Sequence, residues 1–228
     1  MLVAALMALP LVSGASKKPL KLSQDNIDKV LGELTIEEKV HLIIGNPGPH
    51  WPGIAGSTYP VERLGIPQVI FADGPAGIRM KPDRGDGTER WCTAFPAGVS
   101  LAATWNTDAA REVGQAIGDE LRSYGIGVIL GPGINIHRNP LNGRNFEYFS
   151  EDPLITGRMT ADYVKGVQSR GVGTSVKHFA VNSQEMNRLN ADHRVSQRAI
   201  REIYLKGFEI AVKEAKPKNI MTSYNKIN

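Results

Sequence analysis

The stretch DPLITGRMTADYVKGVQSRGVGTSVKH, residues 152–178, carries the repeating unit from which the fold follows. Asp152 offers a side-chain oxygen to the unpaired amides of a helix start, and Pro153 suits the first helical position, where a missing N–H is no loss. The helix is predicted to run to about Arg170, because Gly171 stands where the chain must leave helical geometry. Gly173-Thr174-Ser175-Val176 then reads as a strand that ends on Lys177-His178. The same order recurs on both sides. Pro67 opens the apolar run Gln68-Val69-Ile70-Phe71-Ala72, which ends at Asp73-Gly74-Pro75. A helix predicted over 108–124 has Val113, Ile117 and Leu121 on one face, with Gly125 just past its end. It leads into the strand Ile126-Gly127-Val128-Ile129-Leu130, closed by Gly131-Pro132-Gly133. Downstream, Ser196 caps a helix carrying Ile200, Ile203, Phe208 and Val212, and Asn219-Ile220-Met221-Thr222-Ser223 is a strand ending at Tyr224. Near the start, Thr35-Ile36-Glu37-Glu38 has the capping-box form and begins a short helix whose apolar positions include Val40 and Ile43.

Strands that are continuous apolar runs, alternating with helices, indicate a parallel sheet covered on both faces. A closed barrel and a doubly wound sheet both satisfy that pattern. Polar residues collect just past the strands, namely Asp73, Lys177, His178 and Tyr224, with Arg144 in the long loop after the second, and strand ends line the ligand mouth in either architecture. The barrel is preferred because no strand is followed by a G-x-G-x-x-G phosphate loop. Weaker strand signals lie in 53–66 and 95–104. With 228 residues against roughly 250 for a complete eight-stranded barrel, the fold class is α/β, an incomplete (β/α)8 TIM-type barrel.

Apolar residues make up 41% and charged residues 22%, which supports a packed core and excludes a disordered or low-complexity chain. The net charge of +4 is scattered along the sequence, so no nucleic-acid footprint is expected. Cys92 is the only cysteine, which excludes an internal disulfide, and it is read as a small buried hydrophobe. His41, His50, His137, His178 and His193 show no metal-ligand spacing, so neither metal nor cofactor is expected. The apolar run 2–12 is too short to span a membrane and precedes Ser13-Gly14-Ala15, a small-residue cleavage pattern. Residues 1–15 are therefore read as a signal peptide and 16–228 as one domain, secreted or periplasmic.

The loop 132–152 is long for a compact domain yet holds His137, Arg138, Arg144, Asn145, Glu147, Tyr148 and Glu151. Its aromatics predict an ordered functional loop. Past the third strand, Lys177 and His178 are followed by Asn182, Gln184, Glu185 and Arg188. Carboxylates, guanidinium groups and amides mixed in this way match a polyhydroxylated ligand, since each hydroxyl both donates and accepts. A strand-end lysine also suits an imine-forming aldolase through Lys177, and a non-catalytic sugar-binding chain fits the same lining.

The motifs Asp73-Gly74-Pro75-Ala76-Gly77-Ile78-Arg79, Gly143-Arg144-Asn145-Phe146-Glu147-Tyr148-Phe149-Ser150-Glu151-Asp152-Pro153, Lys177-His178-Phe179 and Met221-Thr222-Ser223-Tyr224-Asn225 occur in that order. Together, from about Asn26 onward, the chain resembles the N-terminal barrel of glycoside hydrolase family 3, closest to its bacterial β-glucosidase-type members. The resemblance implies that Asp73, Arg79, Arg144, Lys177, His178, Arg188 and Tyr224 hold the sugar of the −1 subsite. It implies a retaining mechanism on β-linked glycosides or oligosaccharides, with a carboxylate nucleophile and a second carboxyl group about 5 Å away. In the family, that nucleophile belongs to the strand after the one ending at Tyr224, and the acid/base glutamate to a following sandwich domain. The expectation is therefore that no catalytic carboxylate lies within this chain, that the nucleophilic aspartate falls beyond Asn228, and that residues 1–228 alone are inactive. Lys177-His178-Phe179 continues as Ala180-Val181-Asn182-Ser183 and not as the Pro-Gly-His-Gly loop of the N-acetylglucosaminidase subgroup, which disfavours that activity.

Overall fold

A computed structural model describes residues 19–46, 53–83 and 85–228; the leader read over 1–15 lies outside the described residues. In chain order the elements are α1 (Ile27–Glu33), α2 (Ile36–Ile44), β1 (Gly56–Ser57), β2 (Ile70–Asp73), α3 (Gly98–Ala103), α4 (Thr107–Ser123), β3 (Val128–Leu130) and α5 (Pro153–Gln168). These are followed by β4 (Gly173–Phe179), β5 (Asp192–His193), α6 (Gln197–Ala199), a π turn (Ile200–Tyr204), α7 (Lys206–Ala215), β6 (Asn219–Thr222) and β7 (Lys226–Ile227).

The main sheet has the order β1-β2-β3-β4-β6. β2, β3, β4 and β6 run parallel, in register through pairs such as Ala72 with Ile129, Ile129 with Thr174 and Val176 with Ile220. β1 joins the outer edge of β2 in the antiparallel sense. Successive parallel neighbours with a helix between each pair make a TIM-barrel-like α/β arc, as the alternation in the sequence predicts. β5 and β7 form a separate small parallel sheet beyond the ends of β4 and β6.

The helix starts follow the sequence. Asn106 accepts from the amides of Asp108 and Ala109, and Asp152 from those of Leu154 and Ile155. Thr35 and Glu38 close their box, with Thr35 N–H donating to Glu38 Oε2 at 2.9 Å and Glu38 N–H to Thr35 Oγ1 at 3.2 Å. Ile117, Leu121, Ile129, Val164, Val167 and Val176 are buried between sheet and helices and form the centre of the core. α4 and α5 cross at backbone contact: a Cβ placed on Gly114 would lie 2.4 Å from the Tyr163 carbonyl, and one on Gly166 2.2 Å from the Arg111 carbonyl.

Three local expectations are corrected. α2 turns Leu42, not Val40 and Ile43, toward the small cluster of Val30, Leu34, Val61 and Leu64. Val40 is 42% and Ile43 82% exposed, because the Arg63–Glu38 ion pair fixes the opposite face of the helix. Of the two weak strand signals, 53–66 yields the two-residue β1, whereas 95–104 holds the helix α3. There Leu101 N–H donates to the Ala97 carbonyl at 3.0 Å, the spacing of a helical turn, and Leu101 and Ala102 are both buried. Finally, the π turn at Ile200–Tyr204 shifts the helical phase, so that Phe208, Ile210 and Ala211 face inward while Ile203 and Val212 are partly exposed.

Candidate functional site

The parallel strands all deliver their carboxyl ends to one side of the sheet, and the charged side chains stand there. Lys177 is pinned by its own backbone, its N–H donating to the Pro132 carbonyl at 3.0 Å and its carbonyl accepting from Ile134 N–H at 2.7 Å. Its side chain is 3% exposed. A buried ammonium is tolerated only when charge and hydrogen bonds compensate it, and here two carboxylates do so. Nζ lies 2.7 Å from Asp73 Oδ1 and 3.9 Å from Glu147 Oε2. Asp73, at the end of β2, also accepts from Gly74 N–H at 3.0 Å and meets Arg79 at 3.5 Å. Burial alone would raise its pKa, but Lys177, the Gly74 amide and Arg79 outweigh that and hold the carboxyl below the usual carboxylate range. Gly74 itself is required by the turn, since its φ is +123° and a Cβ would fall 1.7 Å from the Gly77 carbonyl.

On the other wall, Arg144 pairs with Glu147 through Nε and lies 3.7 Å from Glu185. Glu185 also holds Arg188 at 3.0 Å, and the Arg188 guanidinium stacks over the Tyr224 ring at 5.3 Å. The charges thus hold one another in place before any ligand arrives.

His178 is buried beside Lys177. Its N–H donates to Asn135 Oδ1 at 2.9 Å, its carbonyl accepts from Asn135 Nδ2 at 2.9 Å, and its Nδ1 lies 3.2 Å from the Tyr148 hydroxyl. Burial first, then the nearby Arg144, Lys177 and Arg188, push its pKa down to about 3, with Asp73 opposing. The unfolded chain therefore binds a proton on His178 between pH about 6.5 and about 3 that the folded chain refuses. Stability is expected to fall as pH drops through that window, by up to about 1.4 kcal/mol per pH unit. Asp73 adds the same sign at lower pH, below its unfolded value of about 3.9. Urea unfolding at pH 7, 6, 5 and 4 checks this: His178→Gln should flatten the upper part of the profile, and a flat wild-type curve contradicts the assignment.

Asp73, Arg79, Arg144, Lys177, His178, Arg188 and Tyr224, the residues picked from the sequence, all line a single cleft of about 910 Å³. Cys92 is corrected from a core position to a half-buried one in the wall of the same cleft. The sequence reading named Glu147 only as one of the polar residues of the loop 132–152, and it did not name Asn135. Glu147 stands three residues after Arg144, the spacing of a one-turn ion pair, and Asn135 is a lone amide between Ile134 and Ile136 just past a strand; both were visible signals. Among the described residues, no three or more His, Cys, Asp or Glu side chains gather as metal ligands, and no helix is long and apolar enough to cross a membrane.

The pattern of the glycosyl hydrolase family 3 N terminal domain matches residues 57–228. The chain belongs to glycosyl hydrolase family 3. Its family 3 relatives include Beta-glucosidase B of Emericella nidulans, 45% identical over 208 residues, which cover 91% of this chain and 23% of that protein. The Exo-alpha-(1->6)-L-arabinopyranosidase of Bifidobacterium longum is 46% identical over 203 residues, covering 86% of this chain and 26% of that protein. Beta-glucosidase 3B of Thermotoga neapolitana, solved in complex with alpha-D-glucose, superimposes with a TM-score of 0.85 at 54% identity, over 88% of this chain and 29% of that one. The chain thus spans about a quarter of the length of these family 3 relatives. In this family 3 chain, the segment after Phe179 contributes Asn182, a buried donor to Tyr148 Oη at 3.1 Å and to Glu185 at 3.3 Å.

Proposed function

We propose that the cleft is the −1 sugar subsite of a retaining β-glucosidase-type hydrolase acting on terminal β-linked sugars. One observation carries the reading: donors (Lys177, Arg144, Arg188, Arg79) and an ionised acceptor (Asp73) converge on one cleft, already paired with each other. On this reading Asp73 accepts from sugar hydroxyls while Lys177 and the arginines donate, and contacts that tighten as the ring flattens favour the oxocarbenium-like transition state. Asp73 is an anchor in this scheme, since a carboxylate held ionised by an ammonium has no proton to give. The nucleophile and the acid/base group are assigned to sequence outside residues 1–228. The relatives' names support β-glucoside chemistry, and the arabinopyranosidase among them shows that similar identity accompanies a different sugar. Lys177, clamped between carboxylates, is a poor imine-forming amine, which argues against the aldolase alternative. The leader pattern supports a secreted or periplasmic location for the same reading.

Isothermal titration of residues 1–228 with D-glucose, with Asp73→Ala as control, tests the subsite. Binding that the variant loses by tenfold or more is expected, together with no turnover of an aryl β-glucoside by this chain alone. Absence of glucose binding by a folded chain overturns the subsite; turnover abolished by Asp73→Ala overturns the placement of the catalytic pair.

A further inference from the structure

The hydrogen bonds around His178 leave its proton one consistent position. Tyr148 is fully buried, and its hydroxyl has two partners, Asn182 Nδ2 at 3.1 Å and His178 Nδ1 at 3.2 Å. The amide of Asn182 is oriented by Glu185, whose carboxylate lies 3.3 Å from the same Nδ2 and can only accept. Asn182 therefore donates to the Tyr148 oxygen. The phenol then has a proton of its own to place, and His178 Nδ1 is the acceptor within reach.

We infer that Tyr148 is a positioning residue that fixes His178 in the Nε2–H tautomer, so that a neutral imidazole faces the cleft as a hydrogen-bond donor. The alternative puts the proton on Nδ1 and directs it to Asn135 Oδ1 at 3.3 Å. That oxygen already accepts the His178 backbone N–H at 2.9 Å, and the Tyr148 proton would be left buried without an acceptor, the costlier arrangement. Burial raises the Tyr148 pKa, so the phenol keeps the proton it must donate. The charged groups facing the ring are Arg144, Lys177 and Arg188, opposed by Asp73, and their balance favours the neutral imidazole that the relay requires. Among the described residues Nε2 has no hydrogen-bond partner, while the ring lines the cleft.

The inference adds a direction to the proposed subsite and rests on that reading only for the ligand: Lys177 and His178 both donate, so the sugar oxygens they meet accept. The hydroxyl protons are then directed to carboxylates such as Asp73. Long-range ¹H–¹⁵N correlation spectra of ¹⁵N-histidine-labelled chain at pH 7 read the tautomer, with His178 assigned by the signal lost in His178→Gln. The wild type is expected to show Nε2 protonated and Nδ1 bare, and Tyr148→Phe to move the ring toward the Nδ1–H form. An Nδ1–H pattern in the wild type overturns the inference, as does an unchanged pattern in a folded Tyr148→Phe. Should that variant fail to fold, the wild-type spectrum decides. Loss of glucose binding with the expected tautomer would count against the sugar subsite alone, so the two readings fail separately.

Discussion

Lys177→Met is expected to lower the stability of the fold by about 3 kcal/mol and to remove sugar binding from the cleft. Methionine fills much of the lysine's volume, so the loss reports charge more than packing. Without the ammonium, Asp73 and Glu147 keep their negative charge with their shared counter-ion gone, and breaking a buried pair from one side costs about 3–5 kcal/mol. The lower end applies because Asp73 is partly open to solvent and keeps the Gly74 amide and Arg79. Asp73 also loses the main group that depresses its pKa, so the acid-induced loss of stability that Asp73 contributes below its unfolded value of about 3.9 should shrink or reverse in the variant. In an active enzyme containing this chain, removing a charged donor from the proposed sugar subsite should cost about 2–4 kcal/mol in kcat/KM, and Arg144→Ala a similar amount. Urea unfolding and glucose titration measure both effects. A destabilisation below 1 kcal/mol with glucose binding intact would mean that the ion pair governs neither.

Gly166→Val is expected to cost more, about 4 kcal/mol or above, beyond the usual range for overpacking. The contact it forces is with backbone: the Arg111 carbonyl at 2.2 Å and the Gln115 amide nitrogen at 3.0 Å from the first added carbon. Neither can rotate aside as a side chain would. α4 and α5 would have to separate along a face on which Ile117, Val164 and Val167 are fully buried, and the Arg111–Asp162 ion pair beside the crossing would stretch with them. Gly32→Ala in α1 is the control. Nothing lies within 4 Å of its Cβ position, so alanine there should stabilise by about 0.5–1 kcal/mol through helix propensity. Thermal unfolding of the two variants separates backbone crowding from the general preference for alanine.

The legible features were those set by chemistry close in sequence. The caps at Thr35, Asp152 and Ser196 depend on groups two or three residues away, and all three form. The apolar strands end where polar residues begin, and that placed Asp73, Lys177 and His178 at the mouth of the sheet. Other features depend on contacts that local pattern does not encode. The outward face of α2 follows from Arg63, twenty-five residues away from Glu38. The phase of α7 follows from a π turn that no residue type announces. The pairing of Glu147 with Arg144 is local, but the contact of Glu147 with Lys177 and that of Asn135 with His178 exist only once the fold brings the loop after β3 against β4. The close crossing of α4 and α5 belongs to the same class: Gly114 and Gly166 lie within separate helices, and only the meeting of the two helices explains them.

Glu185 joins two guanidinium groups that reach the cleft from different loops, Arg144 from the loop after β3 and Arg188 from the loop after β4. The two loops consequently answer to one carboxylate and behave as a single jaw. A change that draws Glu185 toward either arginine loosens its hold on the other, so effects of substitutions in the two loops on ligand binding in the cleft should not add. Variation in one loop then constrains what the other can accept.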